Sequence, residues 1–162
     1  MFPLSLAFET PIDFASILNR QLSNASILPL ESGPLSGRIQ ILRFPNITIN
    51  LIKVNKKIAI CADRSSNIKT FAVDLSPPSL SSPIIAQGVN ITRPSIFGFN
   101  SSLKDLDLQL DKCSELCSII VSSSYLSQEL QKYNSHDLLD IFDRYNVFSS
   151  ESVHSRLIPL LK

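Results

Sequence analysis

The polar and apolar positions of this chain change their period twice. Between Ile27 and Ser123 apolar residues recur at every second position; on either side they recur every three to four. A period of two places successive side chains on opposite faces of a strand, and one near 3.6 lines one face of a helix. "TPIDFASILNRQL" therefore predicts an amphipathic helix from Pro11 to Leu22, with Phe14, Ile17 and Leu18 on its apolar face. Thr10 offers an N-cap oxygen, Pro11 suits the first helical position, and Asp13 completes a capping-box-like start. Residues 1–9 in front of it read as a loose extended arm.

The alternating stretch divides into eight or nine short strands. "RIQILRF" puts Ile39 and Ile41 on one face and Gln40 and Leu42 on the other. "ITINLIKV" sets Ile47, Ile49 and Leu51 on one face, and "TFAVDL" does the same with Phe71, Val73 and Leu75. "IAICA", "IIAQ", "GVNITR", "SIFGFN", "LDLQL" and "CSIIVSS" complete the set. "SPPSLSSP", Ser76 to Pro83, is a loop, because proline cannot donate to a sheet ladder. Such short strands with turns between them predict an antiparallel sandwich or barrel. In "LESGPLSGRIQILRF" two of the four glycines bracket Pro34. Gly33 is expected in a turn, and Gly37 in a backbone conformation that a β-carbon would oppose.

Beyond Ser123 the helical period returns. "SSYLSQELQKY" places Leu126 and Leu130 on one face, and "SHDLLDIFDRY" aligns Leu138, Leu139, Phe142 and Tyr145. Ser135 is the expected N-cap of the second helix, with Asp137 in its first turn. A third helix opens at Ser150 and ends near Pro159. The layout is an arm (1–9), a helix with a β-domain (10–123) and a helical segment (124–162), so the fold class is mainly β with flanking helices.

Composition narrows the function classes. A chain of 162 residues has the length of one domain and needs no covalent staples. No apolar run approaches the ~18 residues of a membrane helix. The start, "MFPLSLAFETP", lacks a basic n-region and a small-residue cleavage site. With three cysteines, Cys61, Cys113 and Cys117, the expectation is reduced thiols and a cytoplasmic location. Four Asn-x-Ser/Thr sequons, at Asn24, Asn46, Asn90 and Asn100, carry no weight without secretion. A net charge of +1 gives no electrostatic footprint for nucleic acid. The densest basic cluster, Lys53, Lys56 and Lys57, reads as a solvated turn.

Candidate chemistry is sparse. The two histidines, His136 and His154, both fall in the C-terminal segment. A metal site built on strands needs several imidazoles and carboxylates converging, so no metal and no cofactor are expected. His136 reads as a solvated helix-start residue. Cys113 and Cys117 are four apart, not a Cys-x-x-Cys pair, and read as two partly buried small side chains; Cys61 reads as core. Asp105, Asp107, Gln109 and Asp111 alternate with leucines and form the polar outer face of a strand rather than a calcium loop. No phosphate-cradling or nucleophile-elbow motif occurs. An enzyme would need a convergence such as Arg38, Glu31 and Tyr125 in one cavity; with no acid–base pair in view, no catalytic residue is assigned.

The stretch "DFASILNRQLSNASILPLESGPLSGRIQILRFPNITINLIKVN" resembles the start of the sensor domain of AraC-type transcriptional regulators. Asp13, Phe14, Leu30, Gly33, Pro34, Leu35 and Gly37 carry that resemblance. "TFAVDL", "GVNITRPSIFGFNSSLKDLDLQL" and "CSIIVSSSYLSQELQ" resemble the family's later strands and the helix after them, so the likeness spans roughly residues 10 to 145. It implies a cupin-like jelly-roll barrel that can hold an effector, followed by helices that pair two protomers. Those helices place the dimer interface at Leu126, Leu130, Leu138, Leu139 and Phe142. Family members continue through two helix-turn-helix units, for which residues 124–162 offer four basic side chains against five acidic ones.

The expected function is thus a stand-alone sensor and dimerisation domain. It would modulate transcription through a small-molecule effector or a partner, as a homodimer or a heterodimer with a full-length regulator, without contact to DNA or membrane. Two alternatives remain. One is a cupin-like module for a small apolar ligand; the other is a truncated regulator acting through mixed dimers. An internal void large enough for a ligand separates the first alternative from the rest.

Overall fold

The computed structural model describes residues 4–77, 79, 84–100, 102–135, 137–152, 155–156 and 159. Among these, twelve strands form two antiparallel sheets, accompanied by three helices. The strands are β1 (Leu4–Phe8), β2 (Ser23–Pro29), β3 (Gly37–Arg43), β4 (Ile47–Val54), β5 (Ile58–Asp63), β6 (Ile68–Asp74), β7 (Ile84–Ala86), β8 (Val89–Ile91), β9 (Ser95–Phe97), β10 (Asp105–Leu110), β11 (Glu115–Ser122) and β12 (Val147–Ser149). The helices are α1 (Pro11–Leu18), α2 (Ser123–Lys132) and α3 (Asp137–Arg144). Their order is β1-β3-β4-β11-β6-β9-β12 in the larger sheet and β2-β5-β10-β7-β8 in the smaller.

Strands β4 to β11 pair concentrically. β7 pairs with β8, β6 with β9, β5 with β10 and β4 with β11. At the centre a two-residue turn, Gln87 and Gly88, joins β7 to β8 with φ of 53° and 72°. Two successive positive φ values match the right-handed twist of a hairpin. Successive strands from β4 to β7 alternate between the sheets, so the concentric pairs close around one core.

The two sheets share that core. Ile39, Ile41, Ile52, Ala72, Phe97 and Leu116 face it from the larger sheet, and Ile58, Ile60, Ala62, Ile84, Leu108 and Leu110 from the smaller. Helix α1 links β1 of one sheet to β2 of the other and presses Phe14, Ile17 and Leu18 into the core. Phe14 stacks on Phe8 with ring centroids 4.2 Å apart. The cap is as the sequence predicts: Asp13 N–H donates to Thr10 Oγ1 at 3.1 Å, and the Thr10 hydroxyl donates to Asp13 Oδ2 at 2.8 Å. The helix ends at Leu18 rather than Leu22, because the chain turns there to enter β2.

Several expectations change. Residues 4–8 are not a loose arm but strand β1, paired with β3 from Leu4↔Ile41 to Phe8↔Gly37. Gly33 has φ +98°, as a turn requires, but Gly37 begins strand β3. Glycine is needed at 37 for space: a Cβ there would collide with the Lys53 carbonyl and the Phe8 ring. Cys61 is exposed, not core, because Ile58, Ile60 and Ala62 take the inward positions of β5. Cys113 is exposed in the turn before β11, at φ 62°, while Cys117 is fully buried. The Ser135 hydroxyl donates to the Tyr133 carbonyl instead of capping α3. Between α3 and the described helical residues 151–152, the chain returns to the larger sheet as β12. Most of the Ser76–Pro83 loop, together with His136 and His154, lies outside the described residues. No helix among the described residues is long and apolar enough to cross a membrane.

Candidate functional site: an uncovered apolar flank

Strand β4 shows how the larger sheet is built. Its inward positions are Asn50, Ile52 and Val54, and its outward ones are Ile49, Leu51 and Lys53. The outward face is therefore apolar as well. Two rows cross it. Leu42, Ile49, Ile119 and Phe71 stand opposite one another in one, and Leu51, Cys117, Val73 and Ile96 in the next. Val73 and Cys117 are fully buried on this face. Burial pushes the Cys117 thiol up to about 11, since the thiolate would lose its hydration.

Both rows run toward α3 and β12. Ile96 faces Phe148 across the β9–β12 pair. Phe71, Phe99 and Phe142 form an aromatic cluster, with Phe71 and Phe142 edge to face at 5.2 Å between centroids. The buried Lys69 ammonium on β6 reaches Asp143 Oδ1 of α3 at 2.5 Å, which holds the helix against the sheet. Asn146 anchors the following turn: its carbonyl accepts from Gly98 N–H at 2.9 Å and its Oδ1 from Asn100 N–H at 3.2 Å.

Helix α3 stays uncovered in spite of these anchors. None of its residues is buried, although one side of it is wholly apolar. Leu138, Ile141 and Tyr145, with Val147 and Phe148 of β12, rim a groove of about 640 Å³ floored by Phe71, Ile96, Phe99 and Phe142. Tyr145 is 60% and Phe148 50% exposed. Large aromatic side chains left half in water next to one another are the usual mark of an association surface.

Of the expected interface residues, Leu138 and Phe142 belong to this groove. Leu126 and Leu130 are half-buried on α2, and Leu139 is half-buried on the flank of α3. Ile141, Val147 and Phe148 went unread. Ile141 lies three residues from Leu138 on the same helical stripe, so the i, i+3, i+4, i+7 spacing could have found it. Strand β12 is too short to announce itself.

The space between the sheets is small by contrast. A cavity of about 60 Å³ is lined by apolar side chains together with Gln21, Asn50, Arg64, Thr70 and Ser118. The Asn50 and Gln21 amides bond each other reciprocally, at 2.7 and 3.1 Å. Ligand pockets for drug-sized molecules run to several hundred Å³, so this interior is mainly filled core. Arg38, Glu31 and Tyr125 do not converge. Arg38 stands beside Lys53 on the outer face, Glu31 accepts from the Lys57 N–H, and Tyr125 lies on α2. Among the described residues no group of three or more His, Cys, Asp or Glu side chains is placed to hold a metal ion. In comparison with known proteins, the chain matches no family model and shows no significant similarity to a curated sequence.

Proposed function

We propose that this chain is a cupin-like jelly-roll domain that works by pairing with a second copy of itself. It is the kind of dimerisation module that AraC-type regulators carry ahead of their DNA-binding part. The observation that carries the reading is the apolar groove between α3 and β12, continuous with the two apolar rows of the larger sheet. A second protomer placed there would cover Leu138, Ile141, Tyr145 and Phe148 at once. The concentric pairing of β4 to β11 supports the jelly-roll assignment, since that wrap is what an eight-strand jelly roll requires. In this reading the protein modulates transcription through the state of its dimer, including mixed dimers with a longer regulator, and does not itself contact DNA.

Sedimentation equilibrium tests the proposal. The expected result is a dimer at micromolar concentration, and a folded monomer for Leu138→Glu. A wild-type monomer throughout the accessible concentration range would overturn it. One observation favours a second reading: the groove has the volume and apolar lining of a small-molecule site. Native mass spectrometry separates the two, since a carrier retains an added mass on a monomer and a dimerisation module doubles its mass.

A further inference from the structure

Arg64 follows β5 at the rim of the small cavity and is half-buried. Its Nη1 donates to the carbonyls of Gly98 and Asn100, each at 3.2 Å. Among the described residues no carboxylate lies within ion-pair distance of it. A guanidinium has five N–H donors. With both Nη1 protons turned to backbone, the Nε–Nη2 edge remains, and that edge forms two parallel bonds to a carboxylate. Burial also pulls the guanidinium below its usual value.

The rest of the cavity fits a partner for that edge. It has no acidic side chain in its lining. Thr70 and Ser118 line it from β6 and β11, on the inward face that they share with Ala72. Leu106, Leu108, Leu116 and Ile120 supply an apolar wall. At roughly 10–15 Å³ per water-sized position, about 60 Å³ accommodates a molecule of about four to six non-hydrogen atoms.

We propose that this cavity binds a small carboxylate, between acetate and butyrate in size, with its oxygens on the free edge of Arg64 and the Thr70 or Ser118 hydroxyl and its carbon chain against the leucine wall. The site is separate from the α3–β12 groove and does not depend on the dimer reading.

The test is titration of the full chain with sodium propionate, followed by amide chemical shifts, with propanamide as the uncharged analogue and octanoate as the long one. Saturable shifts are expected at residues 64, 70, 98 and 118, with a Kd on the order of a millimolar for so small a ligand. Propanamide should bind at least about tenfold more weakly, the size of a charge-assisted pair. Thr70→Val should weaken propionate several-fold, and Arg64→Gln should abolish its binding. Because Arg64 also holds the Gly98 and Asn100 carbonyls, the propanamide comparison on the wild-type chain keeps the test independent of that variant's folding. No saturation by about 50 mM propionate, equal binding of propanamide, or octanoate binding as tightly as propionate would overturn the proposal.

Discussion

Cys61 and Cys117 both point away from the core, one from each sheet, and they meet opposite surroundings. Cys61 is exposed on the outer face of the smaller sheet, among Ser26, Asp107 and the nearby Asp63 and Asp105 pair. Cys117 is sealed on the outer face of the larger sheet, between Leu51 and Val73. An antiparallel sheet needs only one apolar face to fold. The smaller sheet mixes apolar and polar residues on its outer face, with Leu28, Ala59, Gln109 and Ile85 in one row and Ser26, Cys61 and Asp107 in the next, whereas the larger one carries a continuous second apolar layer that α3 and β12 only partly cover. The excess is what an association surface requires and a solitary domain does not.

The strongest way to break this comparison is to exchange an apolar and an acidic side chain between the two outer faces. Val73→Asp buries an unpaired charge and should cost about 3 kcal/mol or more in urea denaturation. Asp107→Val on the other sheet should stay within about 0.5 kcal/mol. Equal costs would mean that the two faces are equivalent. Removing the anchor of the uncovered layer is the next largest effect. Asp143→Ala leaves the Lys69 ammonium without this carboxylate, at about 1–2 kcal/mol given that Asp143 is itself half in water. Amide exchange should quicken in α3 before it does in β11.

The thiols sharpen the contrast without a mutation. In the native protein Cys61 and Cys113 should react with a thiol reagent while Cys117 stays inert. The Cys117 thiol is raised from 9.0 to about 11 on folding. Its contribution to stability is therefore full below pH 9 and is lost as pH rises from there toward 11, where the unfolded chain gives up a proton that the native state retains. A Cys117→Ala variant should lack this part of the alkaline slope. The smallest expected change in stability is Phe148→Glu, within about 0.5 kcal/mol for a half-exposed residue. The same change should weaken self-association at least about tenfold if the groove is the interface.

Alternation along the chain revealed most of the strands and the helix face of Phe14, Ile17 and Leu18. It could not say which face of a strand turns inward when both are apolar. In β4 the more apolar set, Ile47, Ile49 and Leu51, turns outward, and Asn50 goes inside, where Gln21 satisfies its amide. Strands β1 and β12 were missed for a related reason: each is defined by a partner far along the chain, Ile39 and Ile41 for one and Ile96 for the other. Leu138 and Phe142 were legible from helical spacing. The groove they share with β12 was not, since it depends on where the chain goes after Arg144. Arg64 looks like any charged residue at a strand end, and only its setting beside Gly98 and Ser118 distinguishes it.

The concentric strand pairing also sets an order of events. Its tip, the Gln87–Gly88 hairpin, closes the shortest loop, and each further pair encloses the one before it until Ile47 meets Val121. Loop entropy favours growth outward from that tip. During synthesis β4 waits for β11, its outward isoleucines and leucine exposed to any neighbouring strand. The apolar second face on which the proposed pairing rests is thus also the one most open to aggregation while the chain is incomplete.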